Sequence, residues 1–367
     1  MNIGIIGAGG IAHKLHLPQV AGLRDGLKGD LNGDLNGDLK GEMRVTHLAG
    51  RKESRLRVLA ERFDVPHWTT DYTALLSDDS IDGIIVALPH PLHVPVGLEV
   101  LAAGKHLMMQ KPLCADMGEA HAFVEAVERS DRAVFVLPHF GPDVYAIRRL
   151  LAEGAIGKPT GAHCRVSHGG PEVYYAEIRD YFGEENEGLW FFQAGEAAVG
   201  ALFDMGVYAV AALVAVMGSV ESVMGEVATL DKATSLEDTA TLLLRFANGA
   251  IGTAETGWCD PARTWQMRVH GTSGKLETPG RDGAQLTRWE PGSYTREDEP
   301  AIPHPIDVAP TDHPDMHAAW LRCIREGGSP ALSHAQAARH VTEILLAGLE
   351  SARSGQRIAI KTRRDPE

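Results

Sequence analysis

Over the first 140 residues, short apolar runs alternate with longer stretches that are apolar on one side only. Residues 3–6, 44–49, 83–87, 106–109 and 133–137 are compact, β-branched or aliphatic runs bounded by Gly, Asp or Pro, and read as buried strands. Between them, 10–23, 53–63, 95–103 and 117–129 have helical spacing. Strand and helix in strict alternation predict right-handed βαβ crossovers and a doubly wound parallel sheet.

Beyond Pro142 the pattern changes. A helix over 144–153 stops at Gly154, and strand-like segments follow at 160–167, 220–230, 239–246, 249–257, 264–270 and 274–277. Ala247-Asn248-Gly249 reads as a hairpin turn and implies an antiparallel sheet. The stretch 190–217 holds a covering helix, and 314–326 and 333–354 form a C-terminal helical pair. The chain is therefore α/β first and α+β second: a dinucleotide-type doubly wound domain over 1–138, then an α+β domain with an open, mostly antiparallel sheet over 139–367.

Two segments invite other readings. The apolar stretch 199–218 contains Asp204 and three glycines and lacks basic anchors, which makes it a buried helix rather than a membrane span. Four near-identical tetrapeptides over 27–42 place Gly at every fourth position, which suits neither helix nor strand; an exposed loop is expected there.

The 367 residues suffice for two cores, and the formal net charge of −14 argues against nucleic acid or an anionic membrane as partner. Cys114, Cys164, Cys259 and Cys323 are far apart and form no C-x-x-C, as suits a reduced cytoplasmic chain without a zinc or nucleophilic-cysteine site. No secretory signal precedes the first strand.

The chemistry starts at Gly7-Ala8-Gly9-Gly10-Ile11-Ala12, a G-x-G-x-x-A turn between the first strand and the first helix. Such a turn sets a pyrophosphate against a helix N-terminus: Gly7 allows the tight turn, Gly9 the close backbone approach, and Ala12 the packing of helix on strand. Ligands on doubly wound sheets sit at the carboxyl ends of the strands, so Leu88 and Pro89 after the third strand, and Gln110 and Lys111 after the fourth, share that crevice. Lys111 precedes a proline and is held extended. Asp204 and Tyr208, four residues apart, are predicted to share a helix face among apolar neighbours and to face Lys111 across a cleft. At the end of the second strand Gly50-Arg51-Lys52 offers two cations and no carboxylate, which favours NADP over NAD.

Together these residues resemble the Gfo/Idh/MocA oxidoreductases over nearly the whole chain. The glycine turn, the Pro89-to-His93 segment, Ala103-Gly104-Lys105-His106 with Gln110-Lys111-Pro112-Leu113, the 154–159 stretch and Asp204-Met205-Gly206-Val207-Tyr208 carry the resemblance. It implies a Rossmann domain, a sheet domain used for oligomer contacts, and Lys111 beside nicotinamide and substrate. It also implies His93 near the nicotinamide end of the cofactor. The family usually has Glu where this chain has Gln110, and often His where it has Tyr208. The tyrosine is similar to the glucose–fructose oxidoreductase and dihydrodiol dehydrogenase branch.

The expected activity is hydride transfer between NAD(P) and a secondary alcohol or ketone of a sugar, in a homo-oligomer joined through the open sheet. Lys111, Tyr208 and Asp204 are the expected catalytic residues, with His139 and His168 reaching substrate hydroxyls. The expected cofactor contacts are Gly7, Gly9, Gly10, Ile11, Ala12, Arg51, Lys52, Leu88, Pro89, His93, Gln110 and Lys111. Two rivals remain: a nicotinamide-binding regulator without turnover, and a glycoside-cleaving enzyme that oxidises and re-reduces its substrate on a tightly held cofactor.

Overall fold

Strand β1 (Asn2–Ile6) lies inside a six-stranded sheet with β2 (Arg44–Ala49), β3 (His67–Thr69), β4 (Gly83–Val86), β5 (His106–Met109) and β6 (Val134–Val136), in the order β3-β2-β1-β4-β5-β6. Every pair is parallel. The computed structural model describes the whole chain except residues 26–40, 185–188, 194–198, 279–284, 297, 309–314, 329, 331 and 365–367. The tetrapeptide repeat falls largely outside the described residues.

In chain order the helices are α1 (Leu17–Asp25), α2 (Glu53–Phe63), α3 (Thr73–Leu76), α4 (His93–Ala102), α5 (Met117–Glu128), α6 (Pro142–Ala152), α7 (Pro171–Phe182), α8 (Val207–Met217), α9 (Met316–Glu326) and α10 (Ala335–Ser354). A single π turn, Ala12–His16, leads into α1.

Alternate residues of the parallel strands serve two cores. Ile3, Ile5, Leu48, Met108 and Phe135 pack with Trp320 and Leu321 of α9 on one face, while Ile6, Ile84, Val86, Leu107 and Met109 pack with Phe123 on the other. Coverage on both faces explains why β4 and β6 read as unbroken apolar runs. The short edge strand β3 escapes a pattern reading because its His-Trp-Thr sequence is mostly exposed.

The chain divides into two compact units, Met1–Pro138 with Pro171–Ala198 and Pro314–Arg339, and His139–Gly170 with Val199–His313 and His340–Glu367. The single break after 138 read from the sequence is therefore corrected: two later segments return to the first unit. Contacts account for this. Tyr181 of α7 stacks on His13 at 4.0 Å, and Trp320 of α9 is fully buried in the first sheet's core.

The second unit carries a nine-stranded sheet, in which β7 (Pro159–Ser167) pairs parallel with β10 (Ile251–Gly257). The remaining strands are β8 (Val220–Ala228), β9 (Thr239–Phe246), β11 (Thr264–Gly271), β12 (Gly274–Glu277), β13 (Gln285–Glu290), β14 (Ile302–Asp307) and β15 (Ile358–Ala359). Their order is β14-β13-β12-β11-β7-β10-β9-β8-β15, and all other pairs are antiparallel. Along β9, buried Ala240, Leu242, Leu244 and Phe246 alternate with exposed Thr241, Leu243 and Arg245. One face of the sheet is thus left open, while α8 lies against β7 and β10.

Candidate active site

The strand order reverses between β1 and β4, which opens a crevice beyond their carboxyl ends. The glycine turn occupies that point. Gly7 has φ +110°, and a Cβ there would stand 2.1 Å from the Ala87 carbonyl oxygen, so only glycine fits. Gly9 differs: a Cβ would meet nothing within 4 Å, so packing does not require glycine. The open space above Gly9 is what a dinucleotide diphosphate needs. Gly10 faces α7, with Tyr174 Oη 2.8 Å from where its Cβ would be. Ile11 is half-buried and Ala12 fully buried at the helix start.

Leu88 and Pro89, after β4, are half-buried on the same side of the sheet. His93 opens α4. It is 1 % exposed, with Nδ1 2.7 Å from the Pro112 carbonyl oxygen and Nε2 2.8 Å from that of Leu88. It thus ties the loops after β4 and β5 together, one nitrogen donating to its carbonyl, since a neutral imidazole carries a single N–H. Burial holds its pKa below the ordinary value; the two carbonyls oppose that shift and the Lys111 charge adds to it.

Gln110 is buried and Lys111 half-buried. The Gln110 amide Nε2 lies 2.9 Å from His16 Nε2, and its Oε1 lies 3.4 Å from the Lys111 backbone N–H. Behind His16 come His317 and then Asp315, whose Oδ1 is 3.3 Å from His317 Nδ1 and caps α9 by accepting from His317 N at 2.8 Å. Burial opposes ionisation of Asp315, but hydrogen bonding to His317 and its charge hold the carboxyl below the usual range. No sequence signal points to His317 and Asp315, because nothing local links positions 300 residues apart.

At the end of β2, Arg51 is exposed, while Lys52 Nζ donates to Glu184 Oε2 at 3.0 Å. Glu184 also accepts from Arg55, and these bonds, with the adjacent positive charges, hold its carboxyl below the usual range against burial.

The second unit holds Asp204, Tyr208, His139 and His168. Asp204 lies on a π turn, Leu202–Gly206, and is 6 % exposed. Its Oδ2 accepts from the indole Nε1 of Trp258 at 3.0 Å and faces His168 Nε2 at 3.8 Å. His168 Nδ1 accepts from Gly170 N at 2.8 Å, so its proton sits on Nε2, toward the carboxylate. The structure thus brings His168 and Asp204 together. Tyr208, on α8, packs its ring 5.3 Å from that of Trp265, a different aromatic neighbour from that of Asp204. Behind the turn, Glu237 accepts from Gly200 N and Leu202 N, each at 3.1 Å. His139 is half-buried. Trp258 and Glu237, which hold Asp204 and its turn, carry no sequence signal of their own.

Among the described residues, no group of three or more His, Cys, Asp or Glu could hold a metal ion, and no helix is long and apolar enough to cross a membrane.

Family models bear on this geometry. One described as "Oxidoreductase family, NAD-binding Rossmann fold" matches residues 1–137, and one described as "GFO/IDH/MocA C-terminal domain" matches 144–277. Among curated proteins, D-apiose dehydrogenase of Paraburkholderia graminis is 24% identical over 333 residues, covering 87% of this chain and 83% of that protein. Trans-1,2-dihydrobenzene-1,2-diol dehydrogenase of Homo sapiens is 28% identical over 212 residues, 57% of this chain and 58% of its own. Levoglucosan dehydrogenase of Pseudarthrobacter phenanthrenivorans is 26% identical over 249 residues, 59% of this chain and 60% of its own. The match therefore spans only about three fifths of the last two relatives. A solved structure of levoglucosan dehydrogenase in complex with NADH and L-sorbose shares the fold, with a TM-score of 0.81 at 20% identity over 99% of both chains.

Proposed function

Because this chain belongs to the Gfo/Idh/MocA family of oxidoreductases, we propose that it moves a hydride between a nicotinamide dinucleotide and a secondary alcohol or ketone carbon of a sugar or sugar derivative. The glycine turn carries the reading: Gly7 admits no side chain, Gly9 opens onto free space, and both stand at the switch point of the parallel sheet. The names of the similar proteins, dehydrogenases of D-apiose and levoglucosan among them, support a carbohydrate as substrate class.

When bound, the nicotinamide ring supplies or accepts the hydride. The chain's own residues hold the reactants at near-attack distance, roughly 3–3.5 Å, and handle the proton. Lys111 polarises the substrate oxygen, Tyr208 gives or takes the hydroxyl proton, and Asp204, fixed by Trp258, orients the substrate with His168. His139 is assigned to a substrate hydroxyl. Exposed Met224, Leu243 and Ile251 on the open sheet support a homo-oligomer through that face.

For the form of the cofactor, Arg51 and Lys52 speak for NADP. The ion pairs of Glu184 with Lys52 and Arg55 speak against it and weigh more, because a 2′-phosphate would meet a carboxylate already in place. NAD is the form this reading favours.

The test is absorbance at the nicotinamide band while NAD and NADP are offered with a broad panel of sugars and polyols. Turnover with at least one sugar is expected. Dinucleotide binding without any absorbance change would instead support the regulator, which Gln110 in place of glutamate favours.

A further inference from the structure

The doubly wound fold ordinarily places an acidic residue at the end of its second strand to accept the adenosine ribose hydroxyls, or an arginine to receive a 2′-phosphate. This chain has Arg51 and Lys52 there, and the carboxylate arrives from 132 residues away. Glu184, just past α7, accepts from Lys52 at 3.0 Å and from Arg55 through two guanidinium nitrogens. The ring of Phe182 lies 5.1 Å from the Arg55 guanidinium carbon. The Glu184 and Arg55 side chains are only 14% and 17% exposed, so solvent screens the pair less than a surface one. Gly50 fixes this corner beside the dinucleotide turn, since its Cβ would stand 3.0 Å from that of Ala8.

We propose that Glu184 is the residue that determines which nicotinamide dinucleotide the chain takes, by occupying Lys52 and Arg55 and standing as an anion where a 2′-phosphate would arrive. This rests on the dinucleotide reading above. A 2′-phosphate carries between one and two negative charges near neutrality and must either displace Glu184 or lie beside it. A ribose hydroxyl is uncharged and can donate to the same carboxylate. Arg51, Lys52 and Arg55 bring three positive charges to the corner, and Glu184 offsets one of them while holding two of the cations in its own hydrogen bonds.

The experiment is calorimetric titration of the full chain with NAD and with NADP, for the wild type, E184Q and E177Q. Glu177 lies on α7 itself and pairs with Lys14 instead, so E177Q controls for loosening of α7. The wild type is expected to bind NAD more tightly. E184Q is expected to shift the ratio of dissociation constants toward NADP by about tenfold or more, and E177Q to leave that ratio in place. Should E184Q fail to fold, E184D withdraws the carboxylate from both cations, and a shift in the same direction is expected. An unchanged ratio in E184Q, an equal shift in E177Q, or a wild type that prefers NADP overturns the inference while leaving the dinucleotide reading intact. A wild type that binds neither cofactor overturns both.

Discussion

His16 Nδ1 lies 2.9 Å from His317 Nε2, and both rings are fully buried although they come from opposite ends of the sequence. One of the two nitrogens must donate, and the neighbours decide which. The Gln110 amide can only donate through Nε2, so His16 Nε2 accepts and His16 Nδ1 carries the proton. His317 Nε2 then accepts, and its Nδ1–H faces the Asp315 carboxylate at 3.3 Å. The chain of bonds has one polarity, and it leaves Gln110 Oε1 toward the Lys111 backbone N–H. Glutamine donates to the His16 lone pair, whereas a carboxylate there would demand a proton on His16.

Restoring the family's glutamate therefore has a predicted sign. Gln110→Glu is expected to destabilise the fold by about 1–3 kcal/mol in mildly alkaline solution, where a carboxylate would face the His16 lone pair. A proton shared by that pair is bound more tightly in the folded than in the unfolded chain, so the deficit should shrink as pH falls. Urea denaturation of both proteins across pH is the check; a deficit independent of pH would refute the polarity.

The wild type should show the opposite trend. Burial and the neighbouring His317 hold His16 well below its ordinary value of 6.5, with Asp315 opposing. As pH falls below about 6.5 the unfolded chain takes up a proton that the native ring refuses, so stability is lost. The melting temperature should decline from about pH 7 to about pH 5, and less steeply in His16→Gln.

The two glycines should separate fold from cofactor. Gly7→Ala, with positive φ and a backbone oxygen 2.1 Å from the new Cβ, should cost about 2 kcal/mol or more. Gly9→Ala meets nothing within 4 Å, so its stability should stay within about 1 kcal/mol of wild type while dinucleotide affinity falls. Melting curves beside a cofactor titration distinguish them. Unchanged affinity in Gly9→Ala would remove the turn from the binding site.

Lys111→Met should leave cofactor affinity largely intact and lower turnover about a hundredfold or more. Single-turnover rates measured at saturating cofactor test this. Near-normal turnover would show that Lys111 does not touch the reacting oxygen.

Trp258→Phe removes the indole donor from Asp204, which is itself buried. A loss of about 1–3 kcal/mol is expected, together with weaker substrate binding. Denaturation and the Michaelis constant report the two separately; a change in stability alone would confine Trp258 to a structural role.

Much of the architecture was legible because local pattern specifies it. The strands around Ile5, Ile85 and Met108 are unbroken apolar runs, the Gly7-to-Ala12 turn marks its own helix start, and β9 alternates residue by residue. Legibility failed for short or exposed elements such as β3 and β15, and α7 lies in a stretch to which no element was assigned. It also failed at the scale of the site. His93 was assigned a place on its position in the motif, but the two carbonyls beside its ring come from loops that only folding brings together.

The sequence by itself determined the parallel sheet, the glycine turn and the residue types available for chemistry, since each depends on neighbours within a few positions. Tertiary structure decided what those residues are attached to: His317 behind His16 and Gln110, Glu184 across Lys52 and Arg55, Trp258 on Asp204. Hydrogen bonds and ion pairs act over about 3 Å of space whatever the separation along the chain. Partners tens to hundreds of residues away leave no local pattern to read.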